Sequence, residues 1–216
     1  MKKNVLFAVI AFLLATCTQH PKFELMVNIQ GNKSLLNKKL IINQMIDGII
    51  FYADTIKIKK EQFLLELPYK GTSLMNVYIP ESNINNIMMA GEDGKIELNI
   101  DGIKAHISGS PINDRLQFFY QENDSVSQLF KQLEEEYQIK TNPNALTSQK
   151  RDEYIQKRTK LLIENTDRTI AFIKENVDNP VGEYFFMTHY ITFPQDRKSE
   201  LNSFATEKLK KAFKIQ

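Results

Sequence analysis

Apolar and polar residues alternate with a period of two through the first half of the chain and with a helical period through the second. The change falls at Gly109-Ser110-Pro111. Phe23, Leu25, Val27 and Ile29 alternate with Glu24, Asn28 and Gln30, which predicts a strand closed by Gly31-Asn32. Phe63, Leu65 and Leu67 alternate with Leu64 and Glu66, and Ile96, Leu98 and Ile100 with Lys95, Glu97 and Asn99. Three Asp-Gly dipeptides punctuate this region. Asp47-Gly48 separates residues 40–46 from 49–58, Asp93-Gly94 separates 87–90 from 95–100, and Asp101-Gly102 separates that strand from 103–108. Between apolar runs, Asp-Gly predicts a hairpin, because a type I′ turn needs positive φ at both central residues. Short strands at this spacing predict an antiparallel β-sandwich or barrel-like domain over residues 23–110.

Beyond that point the pattern is helical. Ser110 suits an N-cap and Pro111 the first helical position. Ile112, Leu116, Phe119, Val126, Phe130, Leu133 and Tyr137 form one stripe, with Asn123-Asp124-Ser125 as the place where the helix would kink or split. Thr141-Asn142-Pro143-Asn144 predicts a break. A second helix is predicted over about 148–177, with Ile155, Leu162, Ile173 and Val177 on one face. Asn179-Pro180 caps a short aromatic helix that Phe193-Pro194 stops. Asp196 opens a last helix with Leu201, Ala205, Leu209 and Ala212 on one side. The fold class is therefore α+β: a β domain followed by a helical module over residues 111–216.

The N-terminus supplies an address. Met1-Lys2-Lys3-Asn4 is a short basic segment and residues 5–15 an apolar run, which together predict a signal peptide over residues 1–16. The run is about half the ~20 residues a spanning helix needs. Leu14-Ala15-Thr16-Cys17 resembles the bacterial lipobox, so Cys17 is the expected lipid attachment site and residues 17–22 a very short tether. An ordinary signal peptide cleaved near a cysteine is the competing reading. Cys17 is the single cysteine of the chain. Its acylation excludes disulfides, cysteine nucleophiles and zinc–thiolate sites. Removing Lys2 and Lys3 takes Lys+Arg from 28 to 26, against 26 Asp+Glu. That neutral balance gives no reason to expect nucleic acid as a partner. Thr18-Gln19-His20-Pro21 carries no acidic cluster, which points to the outer membrane facing the periplasm.

Candidate chemistry is sparse. The histidines are His20 in the tether, His106 on a polar strand face with Lys104 and Ser108, and His189 in the aromatic helix. A hydrolase would need Ser108 or Ser110 as nucleophile with Asp114 orienting the base. Neighbours on one strand face do not make a triad, and no Gly-x-Ser-x-Gly elbow is present. Glu134-Glu135-Glu136 point in different directions on a helix, and Gly91-Glu92-Asp93-Gly94 reads as a hairpin turn rather than a calcium loop. Lys208, Lys210, Lys211 and Lys214 suit the negative end of a helix dipole, with membrane contact as the alternative. No cofactor or metal is expected. Tyr184, Phe185, Phe186, Met187, Tyr190, Ile191 and Phe193 are too many for one buried face. They either staple the helices to the sandwich or leave Tyr184, Phe185, Phe186 and Tyr190 as a candidate partner-docking patch.

Two stretches carry a resemblance. Asp54-Thr55 followed by Glu61-Gln62-Phe63-Leu64-Leu65-Glu66-Leu67, and Gly94-Lys95-Ile96-Glu97-Leu98 leading into Ile107-Ser108-Gly109-Ser110-Pro111-Ile112-Asn113-Asp114, resemble a β-rich domain of unknown function. That domain occurs in envelope lipoproteins of Bacteroides-type bacteria, and in many relatives it precedes a TlpA-like thioredoxin domain. Asn179-Pro180-Val181-Gly182-Glu183-Tyr184-Phe185 resembles the helix between the two. The 216 residues contain no Trp-Cys-x-x-Cys, so the redox residues of those relatives have no positions here. The resemblance implies a non-enzymatic, membrane-anchored envelope lipoprotein acting as an interaction or structural module. Its partners would be the membrane, through the lipid on Cys17, and an envelope protein. The alternative it implies is an accessory or docking module for a separate thioredoxin-like thiol–disulfide oxidoreductase.

Overall fold

The computed structural model describes residues 22–139 and 147–215. Among them are eight strands: β1 Phe23–Asn28, β2 Lys39–Ile46, β3 Ile49–Lys57, β4 Gln62–Leu67, β5 Ser73–Tyr78, β6 Ile87–Gly91, β7 Gly94–Asp101 and β8 Lys104–Ser108. They form two four-stranded sheets, ordered β4-β1-β7-β8 and β3-β2-β5-β6. The period-two alternation sends Leu25, Val27, Ile96 and Leu98 from one sheet against Leu40, Ile42, Met75 and Val77 from the other, in a single core. Each such side chain contributes about 1.5–3 kcal/mol by leaving water, so this interlocking layer holds the sandwich together.

The sandwich is not wholly antiparallel. β1 runs antiparallel to β4 but parallel to β7, with Phe23 opposite Gly94 and Val27 opposite Leu98. The three Asp-Gly dipeptides explain this, because they do three different things. Asp47 and Gly48 have φ of 55° and 76°, so both central residues are left-handed and β2 and β3 form the expected hairpin. At Asp93-Gly94 only the glycine has positive φ, and the dipeptide carries the chain from one sheet to the other instead of folding it back. There the Lys22 N–H donates to the Asp93 carboxylate at 2.9 Å and the Gly94 N–H to the Lys22 carbonyl at 2.8 Å, which starts the parallel ladder. At the third site Asp101 pairs with Lys104, so the turn residues are Gly102 and Ile103. Positive φ at the first of them alone is what a type II′ turn requires.

Five α-helices follow among the described residues. α1, Pro111–Glu136, is continuous through Asn123-Asp124-Ser125 and neither kinks nor splits there. The Ser125 hydroxyl donates to the Gln121 carbonyl at 2.9 Å, so that polar side chain is satisfied within the helix. Ser110 caps α1 as expected, accepting the Asn113 N–H at 3.2 Å. The break expected at residues 141–144 lies outside the described residues. α2 is Ser148–Asn176, capped by Thr147, and α3 is Pro180–Thr192, capped by Asn179. The last expected helix is two helices, α4 Gln195–Ser203 and α5 Glu207–Phe213, with Thr206 capping the second. Leu201, Ala205 and Leu209 are nonetheless buried together, so most of the apolar spacing that suggested one helix serves two, while Ala212 is exposed.

α1 lies across the open side of the sandwich, between the edges of β6 and β8. Asn113, Gln117 and Tyr120 fall on one face of it, four and three residues apart. The Asn113 carboxamide accepts the Ala90 N–H at 2.8 Å and donates to the Ala90 carbonyl at 2.9 Å. Gln117 Oε1 accepts the Ile107 N–H at 2.7 Å, and the Tyr120 hydroxyl donates to the Met88 carbonyl at 3.4 Å. One helix thus occupies exposed edge groups of both sheets. A second core lies over the outer face of β5 and β6. It joins Leu74, Met88 and Ala90 to Leu116 and Phe119 of α1, Ile170 and Ile173 of α2, Phe185 and Phe186 of α3, and Leu209 of α5.

The strand pairings define two ends. Phe23, Leu67 and Gly94 lie level in one sheet and Ser73 and Gly91 in the other, with Met45 opposite Leu74. The chain's entry at Lys22, the β2–β3 turn and the loop at 68–72 therefore share an end, the entry end. The Gly102 turn lies at the opposite end, where Asn32 Nδ2 donates to its carbonyl at 2.7 Å. α1 starts toward the entry end and reaches the other, where Asp124 approaches Lys104 at 3.9 Å.

Candidate interaction surface

The aromatic helix α3 is positioned from its first turn. The Asn179 side chain accepts the N–H groups of Val181 and Gly182 at 3.0 and 3.1 Å. Gly182 sits against the end of α2 so closely that a Cβ there would lie 1.9 Å from the Asn176 carbonyl oxygen. Only glycine permits this approach, and it wedges α3 between α2 and the sheet. Phe186 is fully buried, with Tyr190, Phe204 and Phe213 around its ring at 5.5, 6.5 and 5.9 Å. Phe185 is buried against Phe119 and Phe172 at 5.3 and 5.1 Å. These two residues present no free surface for a partner, contrary to the docking expectation. A helix covered on both flanks buries consecutive residues, which a helix lying on one surface cannot do. Tyr190 is half-buried, 4.6 Å from Phe213. Tyr184 keeps 37% of its surface exposed and is the most open of the four. Phe185 and Phe186 act as the staple between helices and sandwich, while Met187 and Ile191 of the same segment are 38% and 73% exposed. His189 stacks on Phe185 at 6.0 Å, and burial holds its pKa below the ordinary histidine value.

One open apolar surface lies on α1 and α2. The two core clusters include no α1 residue beyond Tyr120 and no α2 residue before Ile170. The remainder pairs as an antiparallel two-helix arm. Val126, Leu133 and Tyr137 are buried along it, and it is clasped by Arg168–Glu122 at 3.4 Å, Lys157–Glu136 at 2.8 Å and the Tyr137–Tyr154 rings at 5.6 Å. The hydrogen bonds to Glu136 and then Tyr137 push the Lys157 pKa up to about 12. The α2 stripe divides here. Ile173 and Val177 are buried as expected, but Ile155 is 52% exposed and Leu162 41%. Ile163 and, on α1, Leu129 are exposed as well. A shallow apolar strip runs along Ile155, Thr159 and Ile163, with Lys160 and Glu164 at its margin. Of the face expected from the α2 stripe, Ile155 and Leu162 are therefore the two residues left open.

A groove of about 550 Å³ separates β8 from α1, with Ile84, Ile103 and Ala105 among its apolar residues and Asn85, Gln121 and Gln128 among its carboxamides. His106 lines it, its Nδ1 3.2 Å from Gln117 Nε2. The hydrolase constellation is not assembled. The Ser110 hydroxyl donates to the Glu92 carboxylate, and the Asp114 carboxylate accepts the Gly109 N–H at 3.1 Å. Neither engages His106. Burial pushes the Tyr120 hydroxyl far above its usual pKa, so it remains a proton donor to its carbonyl. The acidic run is spent on neighbours, with Glu135 paired to Lys131 and Glu136 to Lys157. Among the described residues, no group of three or more His, Cys, Asp or Glu side chains is placed to hold a metal ion, and no helix is long and apolar enough to cross a membrane. Cys17 and His20 lie outside the described residues.

Residues 23–116 match the family model of a domain of unknown function (DUF4369). The matched stretch holds all eight strands and ends in the first turns of α1, so the β-rich part of the resemblance stands. No curated protein and no solved structure matches the chain.

Proposed function

We propose that this protein is a lipid-anchored module of the bacterial cell envelope that acts by binding a partner rather than by turning over a substrate, and that the α1–α2 arm is the surface it presents. The observation that carries the reading is the molecule's polarity. The chain enters at one end of the sandwich, and the arm extends beyond the other, with Leu129, Ile155, Leu162 and Ile163 uncovered. The 13 residues of α1 from Asp124 to Glu136 correspond to about 20 Å at 1.5 Å per residue. An acylated Cys17 would hold the entry end at the bilayer and the arm away from it. An exposed apolar strip edged by charge on a two-helix support is the arrangement that helix-to-helix docking uses.

The test is site-directed photocrosslinking in the native envelope. One envelope protein should be captured from both Ile155 and Ile163, not from the exposed Ile103 at the far turn, and lost when Ile163→Asp is introduced with the helical circular dichroism unchanged. Equal capture from Ile103 would refute the arm as the docking surface. Recovery of a thioredoxin-like oxidoreductase would make the module an accessory to thiol–disulfide chemistry; a transport or scaffold protein would retire that role.

A further inference from the structure

The entry end of the sandwich combines three properties that no other part of the described molecule brings together. The first is the approach of the chain. Residues 18–22 are all that separate Cys17 from β1, and five residues reach at most about 18 Å when fully extended. The end at Lys22 is therefore confined to the immediate neighbourhood of whatever anchors Cys17.

The second property is apolar exposure at the β2–β3 turn. Ile49 is 71% and Ile50 55% exposed, although both belong to a strand. Phe51 follows, half-buried, with the Lys70 ammonium of the neighbouring loop 5.3 Å from its ring centre. The hairpin extends beyond the start of β5, since Met45 is already opposite Leu74.

The third is charge. Lys208 on α5 bridges Asp47 in the turn and Glu183 on α3, each at 2.5 Å, which holds α5 beside the turn. Lys211 lies three residues on and so shares that helix face. Glu207 is paired with Lys210 at 2.9 Å, and the Asp93 carboxylate accepts the Lys22 N–H. Those two acids are thus engaged locally, whereas Glu24 and Glu66, opposite each other beside Phe23 and Leu67, form no ion pair among the described residues. Lys70, Lys211 and Lys214 are exposed, and no carboxylate among the described residues forms an ion pair with them.

We propose that this end is a membrane-resting face. Ile49 and Ile50 enter the interfacial layer of the bilayer, and Lys70, Lys211 and Lys214 meet anionic lipid headgroups. The inference deepens the anchored reading and rests on it. A single lipid-modified residue fixes position but not orientation, whereas a second contact with the bilayer fixes both. The face would keep the sandwich upright and the arm pointing away from the lipid.

The chain contains no tryptophan, so Ile50→Trp and Ile103→Trp each install a single emitter, at opposite ends of the sandwich. Full-length acylated protein carrying either change is reconstituted into vesicles of phosphatidylglycerol with brominated acyl chains. Emission from I50W should shift to the blue and be quenched, while emission from I103W should do neither. Adding Lys211→Glu and Lys214→Glu to I50W should reduce the quenching, and raised salt should act in the same direction. Equal emission from the two sites in protein whose intact mass confirms the acyl chain would overturn the inference and leave the anchor standing. An intact mass without acylation at Cys17 would instead overturn the anchored reading, and the resting face with it.

Discussion

The α1–α2 pair is one antiparallel hairpin with two environments. Near the sandwich, Leu116, Phe119, Ile170, Phe172 and Ile173 are enclosed by sheet and by α3, with the Phe119 and Phe172 rings stacked at 4.2 Å. Farther out, the same two helices cover each other only along Val126, Leu133 and Tyr137, and Leu129, Ile155, Leu162 and Ile163 remain in solvent. Both halves carry apolar residues at helical spacing. The difference is made entirely by what lies opposite, so an amphipathic stripe fixes a face without fixing whether that face is covered.

Substitutions that separate the two halves sharpen this contrast. The largest effect is expected for Phe119→Ala, which empties a stacked site that is 3% exposed. It should lower the unfolding free energy by about 3–5 kcal/mol in urea titrations. A loss below about 1 kcal/mol would mean the inner half is packed no better than the outer. Asn113→Ala comes next. It strands the buried N–H and carbonyl of Ala90, and a cost of about 2 kcal/mol or more should appear in the same titration.

His189 probes the inner half through pH. Burial lowers its folded pKa below the ordinary value of about 6.5, so the folded state resists its protonation. The stability involved is fully present above that value and is lost as pH falls toward the folded pKa. His189→Phe should therefore flatten the decline in melting temperature just below neutrality; an unchanged slope would remove His189 from it. The smallest change is expected in the outer half. Leu129→Ala and Ile163→Ala should alter stability by less than about 0.5 kcal/mol, while Ile163→Ala weakens partner capture. A large loss of stability from either would show that the arm's open residues already have a structural role.

Much of this arrangement was legible in the chain. Seven of the eight strands, the caps at Ser110 and Asn179, and the extent of α2 follow from local chemistry that acts within a few residues; β5 and the Thr206 cap that splits the last helix were not read from it. What escaped is set by distant partners. Nothing local distinguishes Asp93-Gly94, which passes between sheets, from Asp47-Gly48, which turns within one; the choice depends on β1 being available to pair with β7. Phe185 and Phe186 read as surplus aromatics because the walls beside α3 depend on the close approach at Gly182 and on distant residues such as Phe213 of α5. The open strip of the arm was hidden for the reverse reason. Its residues look like core, and only the absence of sheet or helix opposite them leaves them uncovered.

The carboxamides that join α1 to both sheets have a mechanical consequence. β6 and β8 are the outermost strands of different sheets, and each is ordinarily the strand that a pulling force would peel away first. Because Asn113 grips one and Gln117 the other, tension applied at the tip of the arm divides between the two sheets and runs along the helix axis instead of unzipping either edge. The arm is thereby a lever rooted in the whole sandwich, able to pass a tug from its outer end to the opposite end of the molecule without the sandwich opening.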